Sequence, residues 1–146
     1  MTTQGDTARE RIERVLPLSP LQQGILFHAA LDPDADPYVE QVNCRLRGPL
    51  ARTEFKAAWE QVLTRHAAFR VSFQRTDQAQ AWQLVHRRLR LPWTELDLSD
   101  VPEPERKAQL EALSRADWSR GFDVGRPPLF RLTLFRCSQS AATNGL

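Results

Sequence analysis

Apolar and polar positions alternate between two periods along this chain. Val15 to Leu18 reads as a short extended piece. From Pro20 the period becomes helical: Leu21, Ile25 and His28 share one face, with Leu26 and Ala29 beside them. That helix is expected to end near Leu31, because Asp32-Pro33-Asp34-Ala35-Asp36-Pro37 is turn chemistry. Tyr38 to Arg47 alternates, with Val42, Cys44 and Leu46 on one side, and predicts a strand closed by Gly48-Pro49. Phe55, Trp59, Val62, Leu63, His66 and Phe69 recur on one broad apolar face. They predict a helix over Phe55 to Phe69 that runs directly into a strand.

Val71 to Arg75 and Ala81 to His86 read as paired strands around Thr76-Asp77-Gln78. Leu89 to Leu98 is extended but broken at Pro92, and Glu103 to Trp118 is a helix with Leu110 and Leu113 facing inward. Phe130, Leu132 and Leu134 alternate with Arg131 and Thr133 in a last strand, Phe130 to Arg136. Mixed strands and helices in this order predict an α/β fold, a two-layer sandwich. The Trp59 face of the long helix should then pack on a sheet holding Val42, Cys44, Leu46, Phe73 and Leu132.

Local chemistry supports several of these boundaries. Ser19 is a good N-cap, Pro20 suits the first helical position, and Gln22 can reach back to complete a capping box. Gly121 suits a left-handed position after a helix, and Pro127-Pro128 forces an extended path beyond it. His66 sits on an apolar face, where a histidine is more often a hydrogen-bonded core residue than a catalyst. Arg70 complements a helix dipole or pairs with a carboxylate elsewhere.

Composition narrows the function classes without choosing among them. The formal net charge is +2, ordinary for a globular domain. The basic run His86-Arg87-Arg88-Leu89-Arg90, near Trp82 and Trp93, has the elements of a nucleic-acid surface. The charge is too small for such a domain, so a solvated strand edge is the better reading and no nucleic-acid partner is expected. Two cysteines make neither a disulfide framework nor a thiolate metal site, and Cys44 is expected to pack as a small apolar residue. No histidines have metal-ligand spacing, the glycines are dispersed, and Ser19, Ser72, Ser99 and Ser114 lie in no nucleophile elbow. Asp97, Asp100 and Glu103 read as N-terminal capping and dipole complement. Residues 1–12 are expected to be disordered, residues 13–136 to form the folded unit, and residues 137–146 to be an unstructured tail. No run is long enough to cross a bilayer, so no membrane partner is expected and a cytoplasmic location follows by default.

Three segments carry a resemblance. They are Pro17-Leu18-Ser19-Pro20-Leu21-Gln22-Gln23-Gly24-Ile25-Leu26-Phe27-His28, Arg65-His66-Ala67-Ala68-Phe69-Arg70-Val71-Ser72-Phe73, and Arg120-Gly121-Phe122-Asp123-Val124-Gly125-Arg126-Pro127-Pro128-Leu129-Phe130-Arg131. In this order they resemble core segments of condensation domains from nonribosomal peptide synthetases. The resemblance runs from Arg14 to Arg136. It implies a partial N-terminal lobe of a chloramphenicol-acetyltransferase-like fold. Ser19, Gln22, Arg65, His66, Arg70 and Phe73 fall on family-motif positions with structural or supporting roles.

A complete member of that family joins two carrier-bound thioesters by a peptide bond. The amine of the acceptor attacks the donor's thioester carbonyl. The resemblance implies no cofactor for the domain itself, since the phosphopantetheine arms belong to peptidyl carrier proteins. Those carriers and the neighbouring synthetase domains are the implied partners. The first motif looks closest to the subtype that accepts a D-configured donor. The family's His-His-x-x-x-Asp-Gly motif is not present, because His28, His66 and His86 stand apart from one another. The chain therefore reads as a truncated condensation domain with no catalytic residue of its own, expected to be inactive alone. The alternative is a non-catalytic lobe remnant that serves as an interaction module. An uncovered last strand bearing Phe130, Leu132, Leu134 and Phe135 would favour self-association.

Overall fold

A computed structural model of the chain describes residues 11–31, 38–75 and 80–137. Strand β1 is Ile12–Pro17, and helix α1 is Pro20–Leu31. Helix α2 is Arg52–Arg65, followed by a 3-10 turn at Ala67–Arg70 and strand β2 at Val71–Arg75. Then come β3 (Ala81–His86), β4 (Trp93–Asp97), helix α3 (Glu103–Ser119) and β5 (Leu132–Arg136). The mixed α/β class is as the periodicity predicts.

The strands form two sheets. β3 is central in an antiparallel sheet of order β1-β3-β2, with Pro17 opposite Trp82, Val71 opposite Val85 and Arg75 opposite Ala81. The pairing of β2 with β3 is the one expected, while the turn residues Thr76-Asp77-Gln78 lie outside the described residues. β4 and β5 make a separate parallel pair, with Trp93 opposite Leu132 and Asp97 opposite Arg136. α3 provides the crossover that a parallel pair requires.

The expected start of α1 and end of α3 are both present. Ser19 N–H donates to Gln22 Oε1 at 2.9 Å, and Gln22 N–H donates to Ser19 Oγ at 3.3 Å, a reciprocal capping box. Gly121 lies just past α3 with φ +55, a left-handed backbone that glycine adopts without a Cβ clash, and its N–H donates to the Trp118 carbonyl. Leu110 and Leu113 are half-buried, as their inward placement requires.

The long helix ends earlier than its apolar period suggests. His66 leaves the helix with φ −104 and ψ 107, and the last apolar residue, Phe69, belongs to the 3-10 turn. A 3-10 turn keeps side chains three apart on one side, so the sequence period continues through the break. His66 is exposed rather than in the core, with its ring edge-on to Phe69 at 6.4 Å.

The predicted strand over Tyr38 to Arg47 does not form. Residues 39–47 join no ladder among the described residues. Gln41 Nε2 donates to the Ser114 carbonyl at 3.0 Å, Ser114 Oγ donates to Gln41 Oε1 at 2.6 Å, and Trp118 Nε1 donates to the Val39 carbonyl at 3.3 Å. These bonds tie the segment's polar side to α3 and leave its apolar side outward. Val42 is 84% exposed, Leu46 54%, and Cys44 is exposed, so none of the three packs in a sheet. The expected sheet under Trp59 is therefore not built, and Trp59 is half-buried.

The buried apolar side chains among the described residues are Leu18, Leu63, Val85 and Leu98. Each such burial is worth about 1.5–3 kcal/mol. No helix among the described residues is long and apolar enough to cross a membrane.

Candidate functional site

Of the motif residues, Ser19, Gln22 and Arg70 gather around β3. At the β3 start, the capping box is joined to the sheet: Gln22 Nε2 donates to Gln83 Oε1 at 2.7 Å. Gln23 Nε2 also donates to the Leu18 carbonyl at 3.3 Å. Ser19 and Gln22 thus hold α1 against β1 and β3.

At the β3 end, Arg70 is buried at 6% exposure. Its Nη1 donates to Glu13 Oε2 at 2.8 Å, to the His86 carbonyl and to the Arg87 carbonyl at 3.3 Å. The carboxylate partner that the sequence left open is therefore Glu13 of β1. The hydrogen bond from Arg70 is the largest cause holding the Glu13 carboxyl below its ordinary range. Arg70 Nε is buried without a hydrogen-bond partner.

Ser72 is fully buried beside this arginine, with its Oγ 2.8 Å from His86 Nε2. Burial, and then the nearby Arg70 charge, hold His86 below its ordinary value. A serine and histidine at this distance have the elements of a nucleophile and base. With 0% of Ser72 exposed, no substrate carbonyl can approach its oxygen. The pair is a packed polar contact between β2 and β3.

Arg65 and His66 lie exposed on the surface. Phe73 is half-buried, and its N–H donates to the Val124 carbonyl at 2.8 Å, which joins the second and third motif segments.

Sequence pattern alone does not reveal a further knot at Arg131. Its Nε donates to Asp117 Oδ1 at 2.5 Å, its Nη1 to the Gly121 carbonyl at 2.8 Å and its Nη2 to the Asp117 carbonyl. The guanidinium also lies over the Phe122 ring, 4.2 Å from its centroid. The available signal was a charged residue on the polar side of a strand, placed just after a proline pair. The acidic trio divides likewise. Asp97 Oδ1 accepts from Ser99 N–H at 3.0 Å and Ser99 Oγ at 2.7 Å, and Asp97 Oδ2 accepts from Arg136 at 3.1 Å. Glu103 stands in the first turn of α3, but the N-cap is Pro102 with no side-chain cap.

The basic run has exposed Arg87, Arg88 and Arg90, while both tryptophans near it are half-buried. Trp93 is engaged by Glu95 at 2.8 Å and by the edge of Phe55. An open cavity of about 1160 Å³ lies between α1, residues 38–43, α3 and the β4–β5 pair. Among the described residues no three His, Cys, Asp or Glu side chains gather as a metal site would require.

Comparison with known proteins puts this geometry in context. A family model described as condensation domain matches residues 12–143. A linear gramicidin synthase polypeptide of Brevibacillus parabrevis is 37% identical over 124 residues, which is 85% of this chain and 2% of that protein. Bacitracin synthase 1 of Bacillus licheniformis is 28% identical over 131 residues, 90% of this chain and 2% of that protein. The starter condensation domain of rhizomide synthetase shares the fold with a TM-score of 0.70 at 24% identity, covering 88% of this chain and 32% of that one. A four-domain nonribosomal peptide synthetase bound to AMP and glycine gives 0.69 at 24% identity, over 88% of this chain and 10% of that one.

Proposed function

The chain belongs to the condensation-domain family, and from that premise we propose that it supplies scaffold, not reacting groups, to peptide-bond formation between carrier-bound thioesters. It spans about a third of the solved starter condensation domain and a small part of its curated relatives. The observation that carries the proposal is where the motif residues go. Ser19 and Gln22 are spent on capping α1 and tying it to Gln83. Arg70 is spent on Glu13 and two backbone carbonyls. Ser72 is buried and accepts or donates only to the half-buried His86.

None of these groups is free to accept a proton from an attacking amine. General-base help needs a group within hydrogen-bond reach of the proton it removes. The chain's contribution is to hold β1, β3 and α1 as one rigid unit. Peptidyl carrier proteins and neighbouring synthetase domains are the partners this reading implies.

The test is an exchange. Residues 12–136 replace the matching stretch of the condensation domain in the linear gramicidin synthase, and dipeptide on the acceptor carrier protein is followed by mass spectrometry. The expected result is product from the chimera and none from this chain alone. A chimera that folds by circular dichroism but makes no product would overturn the scaffold role. Product that depends on the isolated chain would overturn the absence of reacting groups.

A further inference from the structure

The fold gathers positive charge at one end of the antiparallel sheet. The register that pairs Ile12 with His86 continues one residue further, where Arg87 N–H donates to the Arg11 carbonyl at 2.9 Å. Arg11 and Arg87 therefore stand opposite each other at the end of the β1–β3 ladder. Like charges in directly opposed cross-strand positions destabilise a sheet. Arg70 brings a further charge to the same place through its bonds to the His86 and Arg87 carbonyls. Arg14 of β1 adds another, and Arg88 follows Arg87 in the chain.

Among the described residues, one carboxylate answers this group. A bulge in β1 between Ile12 and Arg14 holds Glu13, and bulges re-aim side chains. Glu13 Oε2 accepts from Arg70 Nη1 at 2.8 Å, and Glu13 Oε1 lies 3.7 Å from Arg14 Nε. The Arg70 hydrogen bond is the largest cause that holds this carboxyl low, and the charges of Arg14 and Arg87 add to it. Arg11, Arg87 and Arg88 are exposed, and no carboxylate pairs with their side chains among the described residues. Five arginines against one carboxylate leave this end four charges positive, while the whole chain carries a formal +2. The small net charge of the chain therefore conceals a local concentration that the chain itself leaves unrelieved.

An anion from outside would relieve it. Every basic side chain in the group is arginine, whose planar fork takes carboxylates and phosphates in paired hydrogen bonds. Two observations weigh against phosphate carriers. Trp82 is half-buried, and Trp93 is held by Glu95 and Phe55, so neither offers the stacking platform that single-stranded nucleic acid uses. None of the five arginines lines the open cavity, and a small anion is ordinarily held in a concave site. Glu13 shows, in contrast, a carboxylate already seated among these guanidinium groups.

We propose that Arg11, Arg87 and Arg88 form a docking surface for a carboxylate-rich peptide segment of a partner protein. Glu13 and Arg70 fix the arginines' backbone, and the exposed side chains make the contact. The inference rests on neither family membership nor the scaffold role, so the chimera assay and the binding assay fail independently.

The test is fluorescence anisotropy of the full chain with a fluorescein-labelled peptide of alternating glutamate and serine. Saturable binding is expected at low salt, with a loss of about tenfold at salt that screens exposed charges. Arg87→Gln together with Arg88→Gln is expected to weaken binding about tenfold. Arg115→Gln together with Arg126→Gln removes the same charge from exposed positions elsewhere, and should change binding by no more than about twofold. Arg87→Gln alone should raise the urea midpoint of the free chain, because it removes a like-charge opposition.

Absence of saturable binding at low salt would overturn the proposal. An equal loss in the Arg115 and Arg126 variant would do the same, by reducing the attraction to net charge alone. A lower urea midpoint for Arg87→Gln would show that this side chain serves the sheet instead of a partner. Displacement of the peptide by inorganic phosphate at matched ionic strength would overturn the assigned carboxylate partner. So would tighter binding of a single-stranded oligonucleotide of equal charge.

Discussion

The antiparallel β1-β3-β2 sheet and the parallel β4–β5 pair are built from similar residues and reach different degrees of completion. In the first, Val85 is 1% exposed and Ser72 fully buried, and Arg70 finds Glu13 across the sheet. In the second, the strands border an open cavity and the neighbouring residue Val42 is 84% exposed. The difference lies in connection. β2 and β3 are separated by a few residues and pair directly, and β1, from much earlier in the chain, adds antiparallel to the other edge of β3. β4 and β5 are joined through α3, and a parallel pair gains its stability from cover on both faces. Antiparallel neighbours can close a small core by themselves, whereas a parallel pair depends on what else packs on it.

That contrast can be broken most directly in the core. Leu63→Ala, at a side chain 2% exposed, is expected to cost about 2–5 kcal/mol in urea unfolding. Leu46→Ala, at 54% exposure, should stay within about 0.5 kcal/mol. Equal losses would mean that burial does not set the packing at these two positions. Trp59→Ala should fall below the roughly 3–5 kcal/mol of a fully buried aromatic, because Trp59 is half-buried.

The ion pairs sharpen the same comparison. Arg70→Met strands two carbonyls and the Glu13 carboxylate, and is expected to cost about 3 kcal/mol. Arg52→Met breaks an exposed pair with Glu95 at 3.2 Å beside β4 and should cost about 1 kcal/mol or less. Chemical denaturation of both variants decides it, and a larger loss at Arg52 would reverse the assignment of the rigid half.

At the start of α1, Ser19→Ala should cost about 1 kcal/mol, the usual value of a lost N-cap. Hydrogen exchange should show that loss as faster exchange confined to α1 and the adjoining end of β3, leaving β4 and β5 unchanged.

The smallest expected effect is that of pH. His86 is held below its ordinary value of 6.5, so below that pH the unfolded chain binds a proton that the folded chain resists. Stability should therefore fall as pH drops from about 6.5 toward the lower folded value, and then level off for this group. Glu13 adds a loss in the same direction at more acid pH, since its carboxyl is also held low in the folded chain. Urea midpoints measured between neutral and mildly acid pH should decline in the parent chain, and His86→Gln should flatten the upper part of that decline. An unchanged slope would show that His86 is not the group responsible.

The particular elements show why some features were readable and others were not. α1 was legible to the residue because Ser19, Pro20 and Gln22 act on one another within a single turn. β2 and β3 were legible because a hairpin puts its partners close in the chain. The end of α2 was hidden because a 3-10 turn continues the apolar spacing. Residues 38–47 have a strand's alternation, but a strand exists only where another backbone answers its hydrogen bonds, and alternation does not say whether one does. The site was half visible. Arg70 stood out in its motif, but Glu13, 57 positions away, and the Ser72–His86 contact depend on the register of β1, β2 and β3.

The amino-acid sequence by itself determined the family, most of the element types, the capped start of α1 and the glycine stop of α3, because caps, turns and periods are interactions among near neighbours. Tertiary structure alone decided that Arg70 is buried on Glu13, that Arg131 closes on Asp117, and that residues 38–43 and β5 border one open cavity. Those outcomes depend on contacts between distant segments, whose loop-closure cost and register no local pattern records.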